Sequence, residues 1–197
     1  MGKAGEDGGK PGKVMDIHRW LRDIDQVTDF FQKEFRDLGP DQLNWRPNPA
    51  TWSIGQVIDH LIVINKTYFP IINRLNEGSY KLFWPGKVKF MVNFFGNFIL
   101  QSVEPTRKRK MKTLPIWEPT KSDVGTEILF AFAEQQDQLK EMIRASTVWL
   151  DQGVVISSPA NHIIVYKLER AFDIIVAHEQ RHLAQARELN QLRTKEG

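Results

Sequence analysis

Residues 165–193 read VYKLERAFDIIVAHEQRHLAQARELNQLR, and this stretch decides the fold. One stripe of mostly apolar residues recurs along it at alternating steps of three and four: Leu168, Ala171, Ile175, His178, His182, Gln185, Leu189 and Leu192. This spacing matches the 3.6-residue repeat of an α-helix with one face turned towards a protein core. The stretch therefore predicts a long amphipathic helix that carries two histidines and one glutamine on its inward face.

The same periodicity predicts three other helices, near 14–38, 53–76 and 121–146. Ser53 and Gln56 have the spacing of a capping box at the start of the second helix. Thr120 and Asp123 have the same spacing before the third. We expect Pro70 to kink or shorten the second helix, because proline lacks the backbone N–H that a helix interior needs.

The connections between these helices are long. Residues 41–51 contain Pro47 and Pro49 and predict a rigid loop, whereas residues 79–119 are the least regular part. A short amphipathic helix is expected within 87–103, and the only strand-like run is Val154-Val155-Ile156. The pattern predicts an all-α, up-down four-helix bundle with an extra short helix between the second and third helices.

The chain has 197 residues, which is the length of one domain. Residues 1–13 contain five glycines and predict a disordered tail, so the bundle domain should cover 14–197. Cysteine is absent, which excludes disulfides, thiolate metal sites and a cysteine nucleophile. With no apolar leader and no apolar stretch long enough to span a bilayer, we expect a cytoplasmic protein.

The excess of positive over negative charge is confined to one short segment. The chain has a formal net charge of +3, and residues 107–112 carry five lysines and arginines, which leaves −2 for the rest. Nucleic-acid-binding domains usually spread basic residues over a whole face. We therefore expect no nucleic-acid partner.

The two inward histidines, His178 and His182, lie one helical turn apart, so their rings project side by side. Two imidazoles forced together in an apolar core are unfavourable unless something satisfies them, and a divalent cation does so. His60 lies on the inward face of the second helix and is the candidate third ligand. Three histidines would leave a coordination position open, as in catalytic metal sites. Gln56 and Gln185, one turn away, could orient the rings or a bound nucleophile.

Other interpretations of these residues compete with the metal site. A bare pair of histidines four residues apart is often only two polar side chains. Residues 178–182 also match the HExxH pattern of zinc proteases, but no histidine follows and Glu179 falls beside the inward stripe. His18 falls off its stripe and His162 in a loop, so we expect both to lie outside the site.

Three stretches resemble a known family, the DinB-like metal-binding four-helix bundles. They are LNWRP at 43–47, WSIGQVIDHL at 52–61 and AHEQRHLAQ at 177–185. The resemblance covers roughly residues 14–193. It implies one divalent ion, reported as nickel, zinc or other metals in different members, held by His60, His178 and His182. Segment 79–119 is longer, more aromatic and more basic than is typical of the family, and we expect it at the pocket mouth or a subunit contact.

The resemblance also implies a function. Members with known activity include transferases and isomerases that use a low-molecular-weight thiol such as bacillithiol, mycothiol or glutathione, and others are described as metal-dependent hydrolases. We therefore expect an enzyme that activates a thiol or water with nickel or zinc, or with iron, manganese or cobalt, on a small-molecule substrate. The alternative is a non-catalytic metal-binding or interaction protein that uses segment 87–112 against a partner or a membrane surface. A homodimer is compatible with either interpretation.

Overall fold

The computed structural model describes residues 17–82, 88–104, 113, 115–120 and 123–196. The predicted tail at 1–13 and the basic run at 107–112 lie outside these residues. The helices are α1 (His18–Phe35), α2 (Pro40–Asn44), α3 (Ile54–Lys66), α4 (Phe69–Asn76), α5 (Lys89–Val103), α6 (Glu127–Ala145), α7 (Thr147–Asp151) and α8 (Leu168–Glu196). A 3₁₀ turn spans Pro115–Trp117, and two short strands are β1 (Val155–Ser157) and β2 (Val165–Lys167).

Four helices, α1, α3, α6 and α8, form the bundle, which confirms the all-α prediction. α1 packs against α6 and α8, and α3 packs against the same two helices. Near their starts α1 and α8 are joined by an Arg19–Asp173 ion pair, and further along by Glu34–Arg187. These two helices therefore run in the same direction.

α3 and α6 run in the opposite direction to α1 and α8. His60 faces His182 while Asn65, further along α3, reaches back to Glu179, so α3 is antiparallel to α8. α6 is antiparallel to α1, because Lys140 pairs with Asp25 and the earlier residue Leu129 accepts a hydrogen bond from Gln32. Because α3 and α6 are parallel, the chain between them must return along the bundle, and this requires the long connection that contains α5. The predicted four-helix bundle is present, but its helices run up, down, down and up and do not alternate strictly as the up-down prediction has them.

The second predicted helix is divided into α3 and α4 at Thr67 and Tyr68. Pro70 lies in the first turn of α4, where its missing N–H costs nothing. The predicted capping box at its start is confirmed: Ser53 Oγ accepts from the Gln56 N–H at 3.2 Å, and Gln56 Oε1 accepts from the Ser53 N–H at 3.1 Å. A local sequence signal thus fixed the beginning of α3 correctly.

Three local predictions are wrong. Thr120 does not cap a helix, since its N–H and hydroxyl both donate to Asp59 Oδ2 and α6 begins only at Glu127. The expected loop at 41–51 contains α2, whose first residue is Pro40. Val165–Lys167 is not helical but pairs antiparallel with β1, as its β-branched and aromatic residues favour.

The core has two apolar clusters with polar residues between them. On α8 one cluster ends at Val176 and the other begins at Leu183. The intervening level of the bundle contains buried polar side chains from three helices: His60, Asn65, Gln135, Gln136, Glu179 and His182. This level, which we call the polar layer, is where the candidate site lies.

α5 covers one side of this layer and packs on α8 and β2. The contact is close at Gly96, where an added Cβ would lie 3.1 Å from Arg170 Cγ and 3.2 Å from Tyr166 Cβ. Within the described part of the chain, no helix has the length and apolar character needed to span a membrane.

Candidate metal centre

Three histidines meet at the polar layer. His60 projects from α3 towards His178 and His182, which lie one turn apart on α8. The Nε2 atom of His178 lies 3.3 Å from Nε2 of His60 and 3.0 Å from Nε2 of His182. One ligand atom from each residue falls within 4.8 Å of the others. The structure thus brings together the three predicted ligand residues.

The two distances from His178 Nε2 suit a shared metal ion. Two nitrogens bound at about 2.1 Å to one ion, with angles of roughly 90–110° between them, lie about 3.0–3.4 Å apart. Without an ion, His178 Nε2 faces two other ring nitrogens and can donate only one N–H between them. The donor set is three imidazoles, which suits Zn²⁺, Ni²⁺ and similar borderline metals.

The tautomer of His60 is set by a backbone carbonyl. His60 Nδ1 lies 2.5 Å from the Trp117 carbonyl oxygen, which can only accept, so Nδ1 carries the proton. In the neutral ring this leaves a lone pair on Nε2, directed at the other histidines. Burial lowers the pKa of His60, and the hydrogen bond to Trp117 and the charge of Asp59 oppose that shift.

The two α8 histidines are also held in the neutral form. Burial lowers the pKa of His182 to about 3, with His60 and Arg181 adding to the effect and the Gln185 side chain acting against it. Burial lowers the pKa of His178 well below its ordinary value, and repulsion from His182, His60 and Arg181 adds to this. All three rings therefore present unprotonated nitrogen at neutral pH, which metal binding requires.

A large cavity opens beside the histidines, with a volume of about 960 Å³. Trp52 forms part of its wall: the indole ring lies 4.9 Å from the His60 ring and stacks at 6.3 Å on the His182 ring. Trp117 and residues of α5 close the other side. The expected contribution of segment 79–119 to the pocket is therefore observed for α5 and Trp117.

Glu179 lies beside the stripe of the two histidines, as the spacing predicts, and it faces another part of the core. Its side chain is fully buried in the polar layer, where Oε1 accepts hydrogen bonds from Asn65 at 2.7 Å and from Gln136 at 2.8 Å. Burial raises its pKa to about 7, against the effect of these two hydrogen bonds. The inward face of α8 is wider than one stripe because α8 packs against α1, α3 and α5 together. Glu179 does not line the cavity, unlike the histidines on either side of it in the sequence.

The remaining candidates lie in different places. Gln185 lines the cavity, whereas the Gln56 carboxamide belongs to the N-terminal cap of α3, and a ring-orienting role for either stays a prediction. His18 and His162 are exposed and do not line the cavity. Sequence reasoning missed Asn65 and Arg181, which both line the cavity. Their positions were the available signal: Asn65 directly follows the apolar run 61–64, and Arg181 directly precedes His182.

The family model of the DinB superfamily matches residues 23–186. The chain therefore belongs to the DinB superfamily, and the three-histidine cluster agrees with the metal binding typical of that superfamily. No curated protein and no solved structure matches the chain.

Proposed function

We propose that this protein is a metal-dependent enzyme in which His60, His178 and His182 hold one divalent ion beside a substrate cavity. The observation that carries the proposal is the convergence of three neutral imidazoles at the wall of the 960 Å³ cavity. A divalent ion with neutral ligands keeps its full charge and, when bound, supplies the acidity that turns a thiol or water into a nucleophile near neutral pH. Nickel or zinc is the proposed metal.

The surrounding residues support activation at the ion rather than by a carboxylate base. Among the described residues that line the cavity, Glu188 is the only carboxylate, and it is exposed to solvent. Trp52 and Trp117 shield the imidazoles, and exclusion of water strengthens electrostatic interactions inside the site. A thiol S-transferase and a hydrolase both satisfy this arrangement.

The metal site is tested by titrating Ni²⁺ and Zn²⁺ into chelator-stripped protein. We expect one ion per chain, and His60→Ala, His178→Ala or His182→Ala should each lose most of the affinity, because two imidazoles chelate poorly. His18→Ala and His162→Ala are the matched controls and should bind as wild type does. Wild-type affinity in His60→Ala would refute the three-histidine site.

The nucleophile is tested separately on the metal-loaded protein. A model electrophile is offered with bacillithiol, mycothiol or glutathione, and an activated ester is offered with water alone. Metal-dependent consumption of one thiol identifies an S-transferase, and metal-dependent ester cleavage identifies a hydrolase. If His178→Ala turns over either substrate at the wild-type rate, the centre is not catalytic.

A second candidate function is an interaction protein, favoured by the outer face of α5. Phe90, Phe94 and Phe98 are 77%, 54% and 49% exposed, and their rings stack at 6.1 and 6.3 Å along the helix. If this face binds anionic vesicles, Phe90→Ser with Phe94→Ser should abolish cosedimentation. Equal sedimentation of the double variant and wild type would exclude that role.

A further inference from the structure

The cavity follows α8 over a long distance. Its lining residues on this helix begin at Ile174 and end at Leu192, a span of about 27 Å at 1.5 Å per residue. The three histidines lie near the middle of this length. The cavity is therefore long enough for a ligand that extends well beyond the metal centre.

The two ends of the cavity differ in character. At the Ile174 end, Ile175, Tyr68 and Tyr166 line the wall and are each 3% exposed or less. This closed end is mostly apolar, and the two tyrosine hydroxyls are 3.0 Å apart and hydrogen bond to each other. At the other end Glu188 is exposed and Leu192 is 43% exposed, so this end is the mouth.

Arg181 lies between these ends, beside the histidines. It is the only arginine or lysine among the described residues that line the cavity. Nη1 donates to the Ser102 carbonyl oxygen at 2.7 Å, which anchors the side chain at the C-terminal end of α5. Within the described chain no carboxylate forms an ion pair with it, and its remaining N–H groups have no hydrogen-bond partner. Glu188 is seven residues further along α8, about 10 Å away along the axis.

We propose that the cavity binds an amphiphilic anion, with a carboxylate on Arg181 and an apolar body in the closed end. This inference deepens the proposed function, because it names the substrate class of the same cavity. Arg181 is the only lysine or arginine among the described residues of the cavity wall, so a carboxylate that enters the cavity meets its guanidinium beside the histidines. A guanidinium binds a carboxylate through two parallel hydrogen bonds, which holds the head group beside the imidazoles.

The apolar body has a defined place. From the level of Arg181 to the level of Ile175 the helix rises about 9 Å, and Ile64 and Ile99 line the cavity there as well. A medium-length alkyl chain fits this depth, and its burial adds affinity in proportion to the apolar area removed from water. A short carboxylate would use only Arg181, and a neutral alcohol would use only the apolar end.

The test compares three probes on chelator-stripped protein by isothermal titration calorimetry: octanoate, octanol and acetate. We expect octanoate to bind about tenfold more tightly than octanol, and acetate to bind more weakly than octanoate. Arg181→Met should remove the preference for octanoate over octanol. Arg193→Met is the matched control, because Arg193 lies on the same helix but does not line the cavity.

Two further variants keep the test decisive if Arg181→Met fails to fold. Arg181→Lys retains a cation and should keep a reduced preference for octanoate. Ile64→Trp fills space next to the closed end and should weaken octanoate at least fivefold while leaving acetate unchanged. Equal affinity for octanoate and octanol in wild type, or octanoate affinity unchanged in Ile64→Trp, would overturn the proposal.

The metal is left out so that the two proposals fail separately. If octanoate binding depends on Arg181 but no metal binds, the amphiphile site stands and the metal centre is wrong. If metal binds through the three histidines but the protein binds octanoate no more tightly than octanol, the metal centre stands and the substrate class is wrong.

Discussion

One buried carboxylate holds the backbone that orients a candidate metal ligand. Asp59 Oδ2 accepts hydrogen bonds from the Thr120 N–H at 2.6 Å and from its hydroxyl at 2.9 Å. Thr120 follows the turn that contains Trp117, whose carbonyl fixes the His60 ring. Asp59 and His60 are sequence neighbours, so a single turn of α3 supplies both the ligand and the anchor for its support.

We expect Asp59→Ala to weaken metal affinity by about 10- to 100-fold, the usual effect of losing the support of a ligand. The physical reason is that the Trp117 carbonyl would no longer be held against His60 Nδ1. Calorimetric titration of Zn²⁺ measures the effect. Asp59→Asn keeps one acceptor oxygen and should recover part of the affinity.

Asp25→Ala is the matched control, because Asp25 is an exposed residue of α1 that pairs with Lys140. It should bind Zn²⁺ as wild type does. Wild-type affinity in Asp59→Ala would show that the turn at Trp117 holds its position without this carboxylate.

Among the elements, α5 makes its closest described glycine contact at Gly96. It lies outside the four-helix bundle and forms a cavity wall, with Gly96 packed against Tyr166 and Arg170. The nearest Tyr166 atom is its Cβ, which moves only with the backbone. A larger residue at this position must therefore displace α5 from β2 and α8.

We predict that Gly96→Val lowers the free energy of unfolding by about 1–3 kcal/mol, the usual effect of overpacking, although valine favours a helix more than glycine does. Urea denaturation measures the change. Asn97→Val introduces the same residue at an exposed neighbouring position and should change stability by less than about 0.5 kcal/mol. Equal free energies of unfolding for the two variants would mean that α5 moves aside without destabilising the protein.

Across the whole molecule, the polar layer makes stability depend on pH. In metal-free protein the histidine pKa values are lowered, so the unfolded chain takes up protons near pH 6.5 and the folded chain only at lower pH. The contribution of these histidines to the free energy of unfolding is therefore lost as pH falls below about 6.5. Glu179 acts in the opposite direction: its raised pKa means that stability is lost as pH rises from 4.5 to about 7.

Glu179→Gln separates the two effects. Glutamine keeps an acceptor for Asn65 and Gln136 but carries no charge. The chelator-stripped variant should therefore be more stable than chelator-stripped wild type at pH 8 by about 3 kcal/mol. The difference should shrink as pH falls towards 4.5. Urea unfolding at several pH values measures it.

Glu134→Gln is the control for this substitution, because Glu134 is exposed on α6. It should show no such trend with pH. A stability difference between Glu179→Gln and wild type that is constant with pH would show that the charge of Glu179 is not the cause.

The sequence by itself determined the helices and the inward direction of the three histidines. Periodicity and caps depend on contacts between residues three or four apart, which are present in the sequence of one helix. The Ser53–Gln56 cap, the break near Pro70 and the inward position of each of the three histidines on its own helix follow from such local patterns. The resemblance to DinB-like bundles was likewise carried by short motifs around these residues, and the family match confirms it.

Only the tertiary structure decided how many neighbours each helix face has. Glu179 is buried because Asn65 of α3 and Gln136 of α6 both reach it, and the sequence of α8 cannot show which helices meet it there. The late start of α6 follows from Thr120 binding Asp59 on another helix. The Trp117 carbonyl on His60 and the anchoring of Arg181 on Ser102 join residues 57 and 79 positions apart. Such pairs form only when the packed bundle brings distant segments together, and no local spacing encodes them.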